Sequence, residues 1–222
     1  MRILYGGTFD PVHLGHLAIG NVVAESLRQP VWLLPSADPP HRASPGASAK
    51  QRATMLELAV EGHPHLRVDR RELHRPGPSF TVDTLREVRA EIGPDVALAW
   101  ILGIDSLAGL SSWHDWRRIF TLAHVIGVQR PGTLVGLDWL ARRDALVHAE
   151  VSPRAATIER LPGAAAGFYA AVAMHPLREE SASGVRQAIA LGQPWEQMLS
   201  PPVAGYIQQH GLYGAVRPGP GV

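Results

Sequence analysis

Apolar and polar residues along the first half of the chain follow two rhythms in turn. Short, nearly continuous apolar runs at 2–5, 31–34, 66–69, 96–102 and 124–128 have the length and composition of buried strands. Between them lie stretches whose apolar residues recur at helical spacing: 14–27 (through Leu17, Val22, Val23 and Leu27), 51–61, 79–91 and 113–120. Pro35 stops the second strand, and residues 36–49 form a Pro-, Ser- and Ala-rich loop too long for a plain connection. Beyond 131 the pattern weakens. An amphipathic stretch at 139–147 gives way to an Ala/Gly-rich region, a last strand is expected within 168–174, and helices at 181–191 and 202–210 close the chain.

Strands alternating with helices predict an α/β fold, a doubly wound parallel sheet of Rossmann-like design with a short C-terminal helical segment. Residues 1–214 read as one domain and 215–222, ending in Pro and Gly, as a disordered tail. No internal repeat is present. Sheets of this kind bind ligands beyond the carboxyl ends of their strands. Gly6-Gly7, residues 35–42 and residues 103–106 all fall at that edge.

The segment Gly6-Gly7-Thr8-Phe9-Asp10-Pro11-Val12-His13-Leu14-Gly15-His16 follows the first strand directly. Paired glycines let backbone N–H groups approach an anion and permit positive φ where the chain turns. His13 and His16, three apart, share one face if the helix starts near Val12, and Gly15 leaves that face without a shielding side chain. The positive end of the helix favours negative charge at the same spot. Each piece alone is ordinary: Gly-Gly often makes a plain turn, and a histidine at a helix start is usually a surface residue. Together in one stretch they point to a polyphosphate site. A metal site built on the two histidines needs a further ligand in register, and the sequence offers no obvious one.

Other constellations fall near the same edge. Ser181 or Ser183 can cap the helix that follows, with Arg186 on its first turn, where a planar fork can hold two phosphate oxygens. Pro39-Pro40 is a stiff turn that would hold His41 and Arg42 over the site. Asp105 follows the most apolar strand and is either a helix cap or an acceptor for a ribose. Trp113, His114 and Trp116 lie just beyond; Trp116 reads as core, and Trp113 is either core or a stacking plane.

Composition narrows the chemistry. The 222 residues carry a net charge of +1, which gives no field for a nucleic-acid partner. Cysteine is absent, excluding thiol nucleophiles and cysteine-held metal centres. Lys50 is the only lysine, so Arg and His must hold phosphate. No apolar run reaches the ~20 residues of a membrane span. The N-terminus enters a strand at once, so a cytoplasmic protein is expected.

With these residues in view, the chain resembles the nucleotidyltransferases marked by a His-x-Gly-His signature, here His13-Leu14-Gly15-His16, and a late Ser-rich motif ending in arginine, here Ser181 to Arg186. The resemblance sharpens to the bacterial nicotinate-nucleotide adenylyltransferases. Pro-Pro-His-Arg at 39–42, Gly-Ile-Asp-Ser-Leu at 103–107, the Trp113 region, Arg130-Pro131-Gly132 and Tyr206 to Tyr213 are similar to that family in order, with 133–175 the weakest part. The resemblance implies transfer of AMP from ATP to nicotinate mononucleotide, with Mg²⁺ carried by the ATP phosphates rather than by a protein site. Gly6, Gly7, Thr8, Phe9, His13 and His16, with Ser181, Ser183 and Arg186, would form the ATP site, and His13, His16 and Arg186 the catalytic set. Thr81, Trp113 and His114 would hold the nicotinate ring, Asp105 the nucleotide sugars, and His41 and Arg42 would close on the substrates. His114 stands where relatives often have tyrosine, and Gly184 replaces a bulkier residue in the late motif. Assembly into a homo-oligomer is left open. Phosphopantetheine adenylyltransfer, transfer to the amide mononucleotide and a non-catalytic nucleotide sensor are the competing readings.

Overall fold

A parallel sheet needs both faces covered, and the apolar runs supply residues for two separate cores. A computed structural model describes residues 1–37, 46–75, 77, 79–129, 137–174, 176 and 178–216. Its strands are β1 (Arg2–Gly7), β2 (Val31–Pro35), β3 (Leu66–Val68), β4 (Leu98–Gly103), β5 (His124–Val128) and β6 (Tyr169–Val172). The described residues build one parallel sheet in the order β3-β2-β1-β4-β5-β6. Register places Tyr5 opposite Leu33 and Ile101, and Gly7 opposite Pro35.

The helices are α1 (Leu14–Leu27), α2 (Ala49–Val60), α3 (Thr81–Ile92), α4 (Ile104–Leu107), α5 (Trp116–Leu122), α6 (Leu137–Arg143), α7 (Ala145–Val151), α8 (Ala182–Ala190) and α9 (Pro201–His210). On one face Leu17 and Val23 of α1, Met55 and Leu56 of α2, Val185 of α8 and Ile207 of α9 pack on Ile3, Leu33, Ile101 and Ile126. On the other, Leu85 of α3, Phe120 of α5 and Val147 of α7 pack on Leu4, Leu34, Trp100 and Val125. Each such side chain, fully buried, contributes about 1.5–3 kcal/mol. The doubly wound α/β expectation therefore holds, with the strand order turning back between β1 and β4. That is where such a sheet opens a crevice.

Several boundaries move for identifiable reasons. β4 begins at Leu98 rather than Val96, because Arg89 draws the carbonyls of Gly93, Pro94 and Val96 away from the ladder. The stretch at 139–147 is two helices, broken where the Asp144 carboxylate accepts from the Leu146 and Val147 amides and starts the second. No helix among the described residues is long and apolar enough to cross a membrane.

Candidate active site

The first strand runs straight into the site. After Gly7 the chain turns through Phe9, whose φ of 49° is left-handed, rather than through either glycine. The positive φ expected at Gly6 and Gly7 is absent, and their role is space. A Cβ on Gly6 would lie 2.3 Å from Cζ2 of Trp100, and one on Gly7 would lie 3.0 Å from Cζ of Phe9. Both rings are buried, so Phe9 can offer a ligand only its backbone. Thr8, half-buried, turns its carbonyl to the Arg52 guanidinium at 2.6 Å.

Helix α1 begins at Leu14, as the periodicity over 14–27 predicts and two residues after the Val12 start that would have put both histidines on one helix face; His13 is its N-cap in an extended conformation. The two histidines meet all the same. The His13 backbone N–H donates to Nδ1 of His16 at 3.2 Å, and the ring centroids lie 3.7 Å apart. Accepting at Nδ1 fixes the neutral His16 tautomer with its proton on Nε2, so that edge is a donor. Phe9 supports the His16 ring edge-on at 4.9 Å. His13 is 2% exposed, whereas His16 is half-buried. Gly15 makes room for the cap: a Cβ there would lie 3.0 Å from Nδ1 of His13.

Helix α8 arrives beside this loop. Ser181 is its N-cap, its hydroxyl accepting from the Gly184 amide at 3.0 Å. Ser183 is exposed, with its hydroxyl 3.3 Å from that of Ser181. Gly184 keeps this cap uncrowded, since a Cβ would stand 2.9 Å from Ser181 Oγ. Arg186 lies one turn into the helix rather than on its first turn. Its Nη1 donates to the Asp10 carbonyl at 2.5 Å, and 38% of its side chain is exposed. Arg186 thus reaches the first loop at Asp10, and the Glu180 carbonyl, one residue before the Ser181 cap, lies 3.4 Å from where a Cβ on Gly15 would stand.

The other described candidates lie on α3, on α4 and on the loop before α5. Thr81 is the first residue of α3, half-buried, behind Phe80 as N-cap. The Phe80 ring lies 4.5 Å from the exposed His114 ring, tying α3 to the loop that carries Trp113. An ion pair of Arg86 with Asp115 at 2.7 Å ties them again. Trp113 is half-buried at the margin of the core, while Trp116 is inside it. Asp105 is exposed in the first turn of α4, whose N-cap is Gly103, so Asp105 is not the cap. His41, Arg42 and Arg130-Pro131-Gly132 lie outside the described residues, as do 217–222.

Three residues that hold this loop escaped the sequence reading: Asp10, whose carbonyl receives Arg186, Arg52, which donates to the Thr8 carbonyl, and Tyr213, whose hydroxyl donates to Asp10 Oδ1 at 2.8 Å. Asp10 passes for a turn residue and Arg52 for a solvated helix position. Nothing local sets Tyr213 apart. Among the described residues no group of three or more His, Cys, Asp or Glu could hold a metal ion.

The profile of the cytidylyltransferase-like family matches residues 4–188. The chain is 50% identical over 223 residues to a probable nicotinate-nucleotide adenylyltransferase of Stenotrophomonas maltophilia strain K279a, covering 98% of this chain and 99% of the relative. It is 41% identical to the protein of the same name from Marinobacter nauticus, covering 97% of each. Among solved structures, a nicotinic acid mononucleotide adenylyltransferase of Plasmodium falciparum complexed with NaAD superposes with a TM-score of 0.72 at 15% identity, over 96% of both chains. At that identity the likeness speaks for the fold.

Proposed function

The chain belongs to the nicotinate-nucleotide adenylyltransferase family, within the cytidylyltransferase-like proteins, and from that premise we propose that it transfers AMP from ATP to nicotinate mononucleotide. The products are nicotinate adenine dinucleotide and pyrophosphate, a step of NAD biosynthesis. The observation that carries the reading is the meeting of His13, His16 and Arg186 around one loop at the turning point of the sheet.

The nucleophile is the 5′-phosphate of the mononucleotide. Its second pKa is about 6, so it is largely a dianion at neutral pH and requires no general base. One of its oxygens attacks the α-phosphorus of ATP as the bond to the α–β bridging oxygen breaks, and pyrophosphate leaves with that electron pair. The barrier is repulsion between two polyanions held in line. Catalysis is therefore positioning and charge stabilisation. His16 donates from Nε2 to an oxygen of the α-phosphoryl group, where charge builds. His13, nearly buried, fixes the start of α1, whose first-turn amides face the same anion. Arg186 reaches the β and γ phosphates, and Ser181 and Ser183 line the start of α8.

Mg²⁺ enters with ATP as part of that substrate. The Asp10 carboxylate already accepts from the Gly46 and Ala47 amides and from Tyr213, which fits a metal held by phosphate oxygens. Across the edge, Trp113 stacks on the nicotinate ring, Thr81 and nearby amides receive its carboxylate, and His114 flanks it. Asp105 accepts from the nucleotide sugars. The protein acts as a cytoplasmic enzyme.

The test is to supply MgATP with the acid mononucleotide, the amide mononucleotide or phosphopantetheine, and to measure pyrophosphate. Release with the acid well above the other two is expected. Release only with phosphopantetheine, or with none of the three, would overturn the assignment.

A further inference from the structure

Asp10 is 6% exposed, and its contacts reach three distant parts of the chain. Oδ2 accepts from the Gly46 amide at 2.9 Å, and Oδ1 from the Ala47 amide at 3.1 Å. The Tyr213 hydroxyl, 203 positions away, donates to Oδ1 at 2.8 Å. The carbonyl of the same residue receives Arg186 Nη1 at 2.5 Å, with Oδ2 3.7 Å from that nitrogen. Asp10 is therefore the support on which the partly exposed guanidinium of Arg186 rests.

Tyr213 reaches this point at a conformational cost. Its φ of 59° and ψ of 14° are left-handed, directly after α9 has ended in Gly211 at φ 60°. Such a conformation is costly for a non-glycine residue and persists when the surroundings over-determine it. Here they do. The tyrosine ring lies against Gly46, where a Cβ would stand 2.9 Å from Cδ1, and Cδ of Arg186 would be 3.7 Å from that same Cβ. Burial and the neighbouring Asp10 carboxylate both push the phenol pKa up, so the hydroxyl keeps its proton and remains a donor.

We propose that Tyr213 is a positioning residue for adenylyl transfer, acting through the Asp10 carboxylate to hold Arg186 in its phosphate-binding orientation. A second contact layer fits what a charge clamp requires. An arginine that is partly in solvent has many rotamers, and a fixed acceptor behind one nitrogen selects the rotamer that aims the rest of the fork. The C-terminal turn thus belongs to the ATP site without touching nucleotide. This inference rests on the role assigned to Arg186 above.

The experiment is a double-mutant cycle between Tyr213→Phe and Arg186→Gln. It reads kcat and KM for MgATP and, separately, the Kd of a non-hydrolysable ATP analogue by calorimetry. Tyr213→Phe keeps the ring and removes one donor. It is expected to lower kcat about tenfold with KM for the mononucleotide unchanged. It should also weaken the analogue severalfold, and both effects should vanish in the Arg186→Gln background. Gly46→Ala, which displaces the ring from the other side, should reproduce the pattern even if Tyr213→Phe folds poorly. Equal fold-losses in both backgrounds, or wild-type kcat and Kd in Tyr213→Phe and Gly46→Ala, would overturn the proposal. If the wild type binds the analogue yet releases no pyrophosphate with any acceptor, the enzymatic assignment fails. The Kd cycle still decides the positioning role.

Discussion

Replacing Arg52 tests how the phosphate loop is held. Its side chain is fully buried, yet it sits on a helix whose neighbours in sequence, Gln51 and Ala53 to Thr54, give no sign of it. Nη1 donates to the Thr8 carbonyl and Nη2 to that of Ala37, each at 2.6 Å, and Nε donates to Ala47 at 3.3 Å. One guanidinium therefore fastens the loop after β1 to residues on either side of 38–45. Each of the two short charge-assisted bonds is worth about 1.5–3 kcal/mol, and losing a donor strands a buried carbonyl. Arg52→Met fills much of the volume and recovers part of this through apolar burial, so a net loss of about 2–4 kcal/mol is expected. For a chain of this size that corresponds to a fall in Tm of about 4–16 °C. Arg52→Lys keeps the charge, but one ammonium cannot reach three carbonyls in a planar fork, so it should fall between the two. Thermal melts give the stability, and steady-state kinetics should show a raised KM for MgATP as the Thr8 carbonyl loses its anchor. A methionine variant that melts within ~2 °C of the parent, with its MgATP KM unchanged, would refute the reasoning.

His16→Ala should cut kcat by about 10²–10³ with a much smaller rise in the KM for ATP, because its bond strengthens in the transition state; equal kcat with weakened ATP binding would contradict this. Trp113→Ala should weaken mononucleotide binding while leaving ATP binding nearly intact, as calorimetry would show; a lower Tm with unchanged affinity would assign the ring to the core. Gly6→Ala forces a methyl to within 2.3 Å of buried Trp100 and should destabilise the fold by about 1–3 kcal/mol in urea titrations, a result near zero meaning that the indole moves freely. His124 is fully buried, accepts from the Phe168 amide at Nδ1 and faces the Ala164 carbonyl through Nε2, so it is held neutral. Burial pulls its pKa below the ordinary histidine value of about 6.5; as pH falls through that value the unfolded chain takes up a proton that the folded one refuses, and stability drops. His124→Gln should remove up to about 1.4 kcal/mol per pH unit of that slope below pH 6.5, and parallel slopes in the two proteins would exclude the effect.

Most of the fold was readable in the chain itself. Helix α1 and strand β5 have the predicted bounds, and the strand order follows the expected doubly wound scheme. These features are written in local periodicity, in Pro35 and in caps such as Ser181, which act over a few residues and need no distant partner. The His13-Leu14-Gly15-His16 stretch and the Ser181 to Arg186 stretch were legible for the same reason: their chemistry is a matter of residue type at short spacing.

Tertiary structure decided how those pieces face one another. That Gly6 gives its space to Trp100, that His13 caps the helix instead of lying on its face, and that Arg52 is a buried clamp all depend on neighbours brought in from other strands and helices. The sharpest case is Asp10, an unremarked turn residue in the sequence and the meeting point of Gly46, Arg186 and Tyr213 in the folded chain. A side chain's type sets which bonds it can make. Only packing sets which groups come within about 3 Å of it, and with that whether it is solvent-facing decoration or a support for the site.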